Sequence, residues 1–449
     1  MKKNDIVTLT VTDLSYEAMG VAHLEGSTIF VAGALPGEVV TAKLLKVKKA
    51  YAFAKLEKRL QDSPHRVKTA LNTWVQTGLA SLAHLDYDEQ LKFKQRQISN
   101  LLVKSHLTAD VKPTLPSPQK TGYRNKAQVP VREVDGKLEI GFFRKHSHDL
   151  VPLTHFLTTD PQIDQVLVSV RDILRREHVP AYDERNHRGE VRYLDVRRSQ
   201  ATGETMVVLV CLHQDFKALK RVTEEITAID GVTSVILNHN PKRTNVILGR
   251  ENHVLAGAPT ITDQIGDLKF KISPQSFFQI NSQQTPRLYQ LGITQAGLTA
   301  NDIVLDAYAG IGTIGLSVAR HVKAVRGMEV VPSAVQDAKA NAKLNDIHNA
   351  DYVLGKAEEI MPRWAQSGLK PDVIFVDPPR KGLSPDFIQA SVATKPKKIV
   401  YISCNPATLI RDLKLFTEAG YTFDTITPVD MFPQTPHVES VTVLERTVK

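Results

Sequence analysis

The chain has 449 residues, 42% hydrophobic and 23% charged, which is ordinary for a globular protein with ample core and room for about two to four domains. Its 57 Lys and Arg against 48 Asp and Glu leave a net charge of +9, a balance that favours polyanionic partners. Two cysteines far apart in sequence argue against a disulfide framework and a Cys-based zinc site, and no apolar run nears the ~20 residues of a membrane helix. With no signal-peptide pattern after Met1-Lys2-Lys3, the expectation is a cytoplasmic monomer without membrane contact.

Residues 1–59 read as short strands between glycine turns, among them Ile6–Val11, Gly20–Ala22, Thr28–Val31 and Glu38–Leu44. Such spacing predicts a small β-barrel of the oligonucleotide-binding type. Lys43, Lys46, Lys48, Lys49, Lys55, Lys58 and Arg59 crowd around Tyr51 and Phe53, the composition of a nucleic-acid surface. Residues 60–118 form a helical linker region. Within it Leu91, Phe93, Ile98, Leu101 and Leu102 predict a helix over 86–105, and Pro113, Pro116 and Pro118 mark a linker. Residues 119–265 mix strands and helices, with hairpins expected at Asp135-Gly136 and Thr202-Gly203.

From 266 to 449 strands alternate with helices: Ile303–Asp306, Ala324–Glu329, Tyr352–Gly355, Val373–Asp377 and Lys398–Ser403, with helices around Gly315–Arg320 and Ala334–Asn345. This pattern predicts a doubly wound α/β domain with a mostly parallel sheet, and His437–Leu444 adds a last strand. Ligands of such sheets sit at the carboxyl ends of the strands, so Asp306, Glu329, Asp377 and Cys404 should converge.

Four segments there carry chemistry. Asp306–Gly315 contains a GxGxxG at Gly310, Gly312 and Gly315, for which a dinucleotide is the obvious rival ligand. An Asp closing the strand suits the cationic amine of S-adenosylmethionine and would repel a pyrophosphate, and Glu329 suits two ribose hydroxyls. Asp377-Pro378-Pro379-Arg380-Lys381-Gly382 is a rigid turn after an apolar strand. Ser403-Cys404-Asn405-Pro406 places a thiol at a strand end. It is a candidate nucleophile, whereas Cys211, inside Met206–Leu212, reads as core. Phe432–Glu439 carries His437 and Glu439 into the last strand.

Together DAYAGIGTIGL, FVDPPRKG, YISCNPATLIRDL and DMFPQTPHVESV, in this order, resemble the RNA (uracil-5-)-methyltransferases. With a barrel that resembles a TRAM domain, the chain is similar to the 23S ribosomal RNA branch. The resemblance implies a Rossmann-like, class I S-adenosylmethionine domain, Cys404 as nucleophile and Glu439 as general base. It also implies cofactor contacts by Gln279, Tyr308, Glu329 and Asp377, beside Asp306, Gly310 and Gly312. RNA is the implied partner, 23S ribosomal RNA ahead of transfer RNA. Tyr123–Lys126 and Phe142–Lys145 are RNA-contact candidates, and Arg380 and Lys381 could meet phosphates. Arg380 stands where the cytosine-methylating sister class carries a Cys, which favours uracil.

Many relatives hold an iron–sulfur cluster on four Cys after the barrel. Here the matching stretch, Leu71 through Ala80, has none, and Phe156 stands near the fourth position. No cluster or metal is expected, and that region must hold together by apolar packing. The remaining alternatives are an NAD-dependent oxidoreductase, which nicotinamide fluorescence would reveal, and a non-catalytic RNA-binding factor, which tritium release from carbon-5-labelled uridine would exclude.

Overall fold

The computed structural model describes residues 1–69, 73–145 and 147–447. Leu71 of the cluster-site stretch and the last two residues of the 266–449 segment lie outside them. Five strands, β1 (Ile6–Leu14), β2 (Met19–Leu24), β3 (Ser27–Ala32), β4 (Val39–Val47) and β5 (Tyr51–Gln61), close into a barrel in the order β1-β2-β3-β5-β4. Alternation explains the last of them: Ala52 and Ala54 enter the barrel core, leaving Tyr51, Phe53 and Lys55 on the outside. The basic, aromatic stretch is therefore part of the barrel wall, running from the end of β4 through its turn into β5. Its rings meet Phe30, with Phe30–Phe53 centroids 5.5 Å apart and Tyr51–Phe53 5.7 Å apart.

After the barrel come α1 (Thr73–Thr77) and α2 (Tyr87–Lys104). Asp86 caps α2 by accepting from the Glu89 amide at 2.9 Å, and Ser105 ends it. Trp74 packs with Ala80 and Ala83 and donates its indole N–H to the His155 carbonyl at 3.2 Å, so apolar packing does hold the segment. The proline linker is not free. Its β6 (Asp110–Val111) joins the edge of the C-terminal sheet, and the Leu115 amide donates to Pro428 O at 2.8 Å. Prolines remove donors, which keeps this strand short.

The central unit comprises β7 (Lys126–Val134), β8 (Lys137–Phe143), β9 (Leu150–Pro152), α3 (Pro161–Arg176), β10 (Val191–Arg198), β11 (Thr205–Cys211), α4 (Leu219–Thr227), β12 (Val232–His239) and β13 (Glu251–Gly257). Both expected hairpins are present, and the sheet runs β13-β12-β11-β10-β7-β8-β9. β11 is buried throughout, and apolar from Met206 on, because both faces are covered: Val207, Leu209 and Cys211 face α3 and α4, while Met206, Val208 and Val210 face the next unit. A hairpin, β14 (Ile261–Ile265) and β15 (Leu268–Ile272), fills that second interface.

The last unit holds α5 (Thr285–Ala296), β16 (Ile303–Ala307), α6 (Thr313–Ala319), β17 (Ala324–Glu329), α7 (Pro332–Leu344), β18 (Ala350–Leu354), α8 (Ala357–Gln366) and β19 (Val373–Val376). It continues with α9 (Pro385–Ala393), β20 (Lys398–Ser403), α10 (Pro406–Glu418), β21 (Tyr421–Thr422), β22 (Thr425–Val429) and β23 (Glu439–Arg446). The order β18-β17-β16-β19-β20-β23-β22-β6 is parallel from β18 to β20 and antiparallel at β23. Helices α5, α6 and α7 cover one face; α8, α9, α10 and α2 cover the other. The fold is thus the doubly wound α/β architecture, and its strand order reverses between β16 and β19. Among the described residues no helix is long and apolar enough to cross a membrane.

Candidate active site

Register places the site. Met328, Ala307, Val376 and Tyr401 form one row across β17, β16, β19 and β20. The row beyond it, at the carboxyl ends, is Glu329, Tyr308, Asp377 and Ile402. Cys404 lies two residues past Ile402. On the far side Ser403 pairs with Ser440, so the antiparallel register sets Cys404 opposite Glu439. Directly opposed Cα atoms lie about 4.5–5.5 Å apart. The crevice opens where the strand order reverses, which is where open α/β sheets bind ligands.

The loop after β16 is shaped by close packing. Gly312 has φ +85° and caps α6, and a Cβ there would meet the Tyr352 hydroxyl at 2.8 Å. Asp306 is buried, and its carboxylate accepts from the Gly315 amide at 2.8 Å. It therefore fastens its own loop rather than facing outward. Glu329 accepts from Gly310 N at 3.0 Å and, through its other oxygen, from Val330 and Val331 N at 2.7 and 2.9 Å. Tyr308 has φ +66° and packs against Phe387 with the rings tilted by 42° and centroids 5.4 Å apart.

Asp377 accepts from the Gln279 amide at 3.3 Å, and the Gln279 carbonyl accepts from Asn125 Nδ2 at 2.9 Å. Asn405 caps α10, accepting from Ala407 N at 3.1 Å, and donates to Arg380 O at 2.9 Å, which ties the thiol loop to the proline turn.

Acids crowd this crevice. Burial, with Asp377 and Glu329 nearby, pushes Asp306 up to about 7. Burial pushes Asp377 up to about 7 as well, against the Gln279 hydrogen bond. Glu439 is raised well above the carboxylate range by burial and by Asp377, opposed by Arg380. One of its oxygens, Oε2, is buried without a hydrogen-bond partner. Half-buried Cys404 is pushed up to about 12 by burial, then by Glu439 and Asp377, again opposed by Arg380. Buried carboxylates without partnering cations are costly, so the donor set fits a cationic ligand beside them.

A clamp that sequence did not reveal holds the segment entering Glu439. Lys94 of α2 is fully buried and donates to Asp430 at 2.5 Å and to Phe432 O at 3.0 Å. Tyr87 donates to the other Asp430 oxygen at 2.8 Å. Gln90 and Gln434 exchange hydrogen bonds at 2.9 and 3.0 Å, and Tyr123 donates to Pro433 O at 3.1 Å.

Of the sequence candidates, Gln279, Asp306, Tyr308, Gly310, Gly312, Glu329, Asp377, Cys404 and Glu439 all meet at this crevice. Tyr123–Lys126 does not form an RNA strip. Tyr123 and Asn125 are buried, and Lys126 pairs with Asp195 at 3.1 Å, because this segment is the seam between the central sheet and the crevice. Phe142 packs on Phe156 with centroids 5.6 Å apart, while Arg144 and Lys145 stay exposed. His437 is exposed. Exposed apolar side chains neighbour the site residues, Val330 and Val331 directly after Glu329, Leu354 paired with Glu329, and Phe277 two residues before Gln279; that adjacency was their only signal in the sequence. Among the described residues no three His, Cys, Asp or Glu are grouped to hold a metal ion.

Residues 2–56 match the TRAM domain, and residues 86–447 match the tRNA (Uracil-5-)-methyltransferase family. The chain is 72% identical over 450 residues to an RNA methyltransferase of Lactobacillus johnsonii, covering all of both chains. It is 52% identical over 447 residues to one of Lactiplantibacillus plantarum, covering 99% and 98%. A solved structure, the Pyrococcus abyssi tRNA (uracil-54, C5)-methyltransferase in complex with S-adenosyl-L-homocysteine, aligns with a TM-score of 0.79 at 28% identity, covering 97% of this chain and 99% of that one. With this coverage over the crevice and the barrel alike, the chain belongs to the tRNA (uracil-5-)-methyltransferase family.

Proposed function

We propose that this protein methylates carbon 5 of a uridine in 23S ribosomal RNA, using S-adenosylmethionine and a covalent bond from Cys404 to carbon 6. The observation that carries this reading is the nearness of Cys404 to Glu439 and Asp377, one step beyond the Ser403–Ser440 pair that joins β20 to β23. Glu329, Tyr308, Asp377 and Gln279 would hold the donor, Asp306, Gly310 and Gly312 would shape its loop, and Val330 and Val331 would flank it. Bound S-adenosylmethionine supplies an electrophilic methyl group and a positive charge among these acids.

Burial, with Glu439 and Asp377, keeps Cys404 a thiol in the free protein even beside Arg380, so the thiolate forms, its proton passing to water, only when the positive charge of a bound donor offsets those acids. The thiolate adds to carbon 6, and the electron pair of the 5,6 double bond passes into the ring carbonyl as an enolate. Carbon 5 then takes the methyl group. Once the same positive charge has let Glu439 give up its own proton to water, its carboxylate removes the proton from carbon 5, and the returning pair expels Cys404 as thiolate. A base with a raised pKa in a dry site is suited to that proton. The target base must leave its stack to reach a half-buried thiol.

RNA carrying 5-fluorouridine tests the chemistry. Wild-type protein should form a covalent complex that Cys404→Ala cannot form; equal complex formation by both sinks the reading. Transfer RNA is the second reading, supported by the likeness to the Pyrococcus abyssi enzyme, which spans the barrel as well. Mapping 5-methyluridine in both RNAs from a deletion strain decides between them.

A further inference from the structure

A cavity of ≈ 470 Å³ opens in the central unit, lined by Arg132, Phe143, Tyr182, Arg192, Tyr193 and Arg243 together with Glu184, which His148 approaches at 3.3 Å. That volume lies within the range of small-ligand sites. The Arg132 guanidinium lies 5.4 Å from the Phe143 ring and 5.5 Å from those of Tyr182 and Tyr193, and Arg192 lies 4.5 Å over Tyr182. Three arginines thus face one carboxylate, which Arg132 approaches only at 3.8 Å. Among the described residues neither Arg192 nor Arg243 forms an ion pair. Arg192 is 3% exposed and donates to Asn240 O at 2.6 Å and Lys242 O at 2.7 Å, yet its Nε has no hydrogen-bond partner. Uncompensated guanidinium charge beside aromatic faces is the chemistry that receives a phosphate together with a base.

The place of this cavity matters. Lys126 opens β7 at the seam, next to Asn125, which holds Gln279. Arg132 lies six residues further along the same strand, roughly 20 Å away at about 3.3 Å per residue. On a stacked strand that distance is about six nucleotides.

We propose that this cavity takes an unstacked nucleotide of the RNA substrate, with its phosphate on Arg132, Arg192 and Arg243 and its base against the Tyr193 and Phe143 side. The RNA would then be gripped at a second point remote from the reacting uridine. This rests on the reading above that RNA is the substrate.

Filter retention of bulk ribosomal RNA and bulk transfer RNA by the full-length protein, across a salt series, tests it. Arg243 is exposed, so Arg243→Glu should fold normally; Arg132→Gln, checked by circular dichroism, is the second variant. Each should bind at least one RNA about tenfold more weakly, with the salt slope reduced by about one. Photocrosslinking with 4-thiouridine RNA should mark Tyr193 or Phe143. Unchanged affinity in both variants without such a crosslink overturns the proposal. So does tight binding of adenosine monophosphate that Arg243→Glu abolishes while RNA affinity stays, which would make this a free-nucleotide site. Wild-type protein that retained neither RNA would overturn both this proposal and the substrate reading. Intact retention without a Cys404 adduct would overturn the Cys404 chemistry alone.

Discussion

The central sheet, at its seam with the crevice, and the C-terminal sheet both bury carboxylates, but they settle them differently. In the central sheet Asp195 receives Lys126 at 3.1 Å and Gln128 at 2.8 Å, and Arg197 donates to Ser276 O at 2.9 Å. In the C-terminal sheet Asp377 and Glu439 share a crevice, and the cation that opposes Glu439 is Arg380, on an exposed turn. The first arrangement serves the fold. The second leaves electrostatic work undone until a cation arrives, which is the expected mark of a site.

Neutralising one acid in each sheet would separate the two roles most sharply. Glu439→Gln should lower turnover by about 10²–10⁴-fold and let the Cys404 adduct accumulate, because carbon 5 keeps its proton. Its melting temperature should hold or rise, since an uncompensated acid is gone. Asp195→Asn should do the reverse, costing about 3 kcal/mol by stranding Lys126, with chemistry at saturating RNA little changed. Thermal unfolding and single-turnover assays read both, and loss of stability in Glu439→Gln would erase the contrast.

The same contrast has a pH signature. Asp306 and Asp377 hold protons in the folded state up to about 7, whereas unfolded carboxylates lose them near 4. The folded state therefore binds more protons across that window, and ligand-free stability falls as pH rises from about 4 to about 7. A cationic ligand should offset that fall. The melting-temperature gain from S-adenosylmethionine, relative to S-adenosylhomocysteine, which lacks the sulfonium charge, should grow between pH 5 and pH 8. A difference that stays flat with pH would mean that neither Asp377 nor the loop-fastening Asp306 senses the charge of the donor.

How much of this the sequence carried follows from the range over which each feature is encoded. The parallel strands were legible because burial on both faces makes them continuous apolar runs, and the crevice residues because strand ends align by topology. β22 was not, because Pro428 and the threonines around it break both patterns. The clamp was invisible for another reason: Lys94 and Asp430 are 336 residues apart, and a lysine on a sparsely apolar helix reads as solvated. Tyr123–Lys126 misled because tyrosine, arginine and lysine compose a buried seam as readily as an RNA-binding strip. In the cluster-site stretch the loss of cysteine and the need for apolar packing were readable, but not which side chain supplies it; Trp74, with Ala80 and Ala83, does so.

The smallest expected difference concerns the two thiols, each at the end of a buried strand. Cys211 ends β11 with no exposed surface, packed among Val207, Leu209 and the helices α3 and α4, and burial raises its thiol far above the ordinary range. Cys404 follows β20, where the Asn405 cap turns the chain away and leaves the sulfur at the crevice mouth. Cys211→Ala should therefore cost about 1 kcal/mol in urea unfolding, from one buried group and the small void it leaves. Cys404→Ala, which vacates a partly open position, should stay within about 0.5 kcal/mol of wild type. Equal losses at both positions would assign both thiols to packing, and the argument from Cys404 to chemistry would lose its footing in the fold.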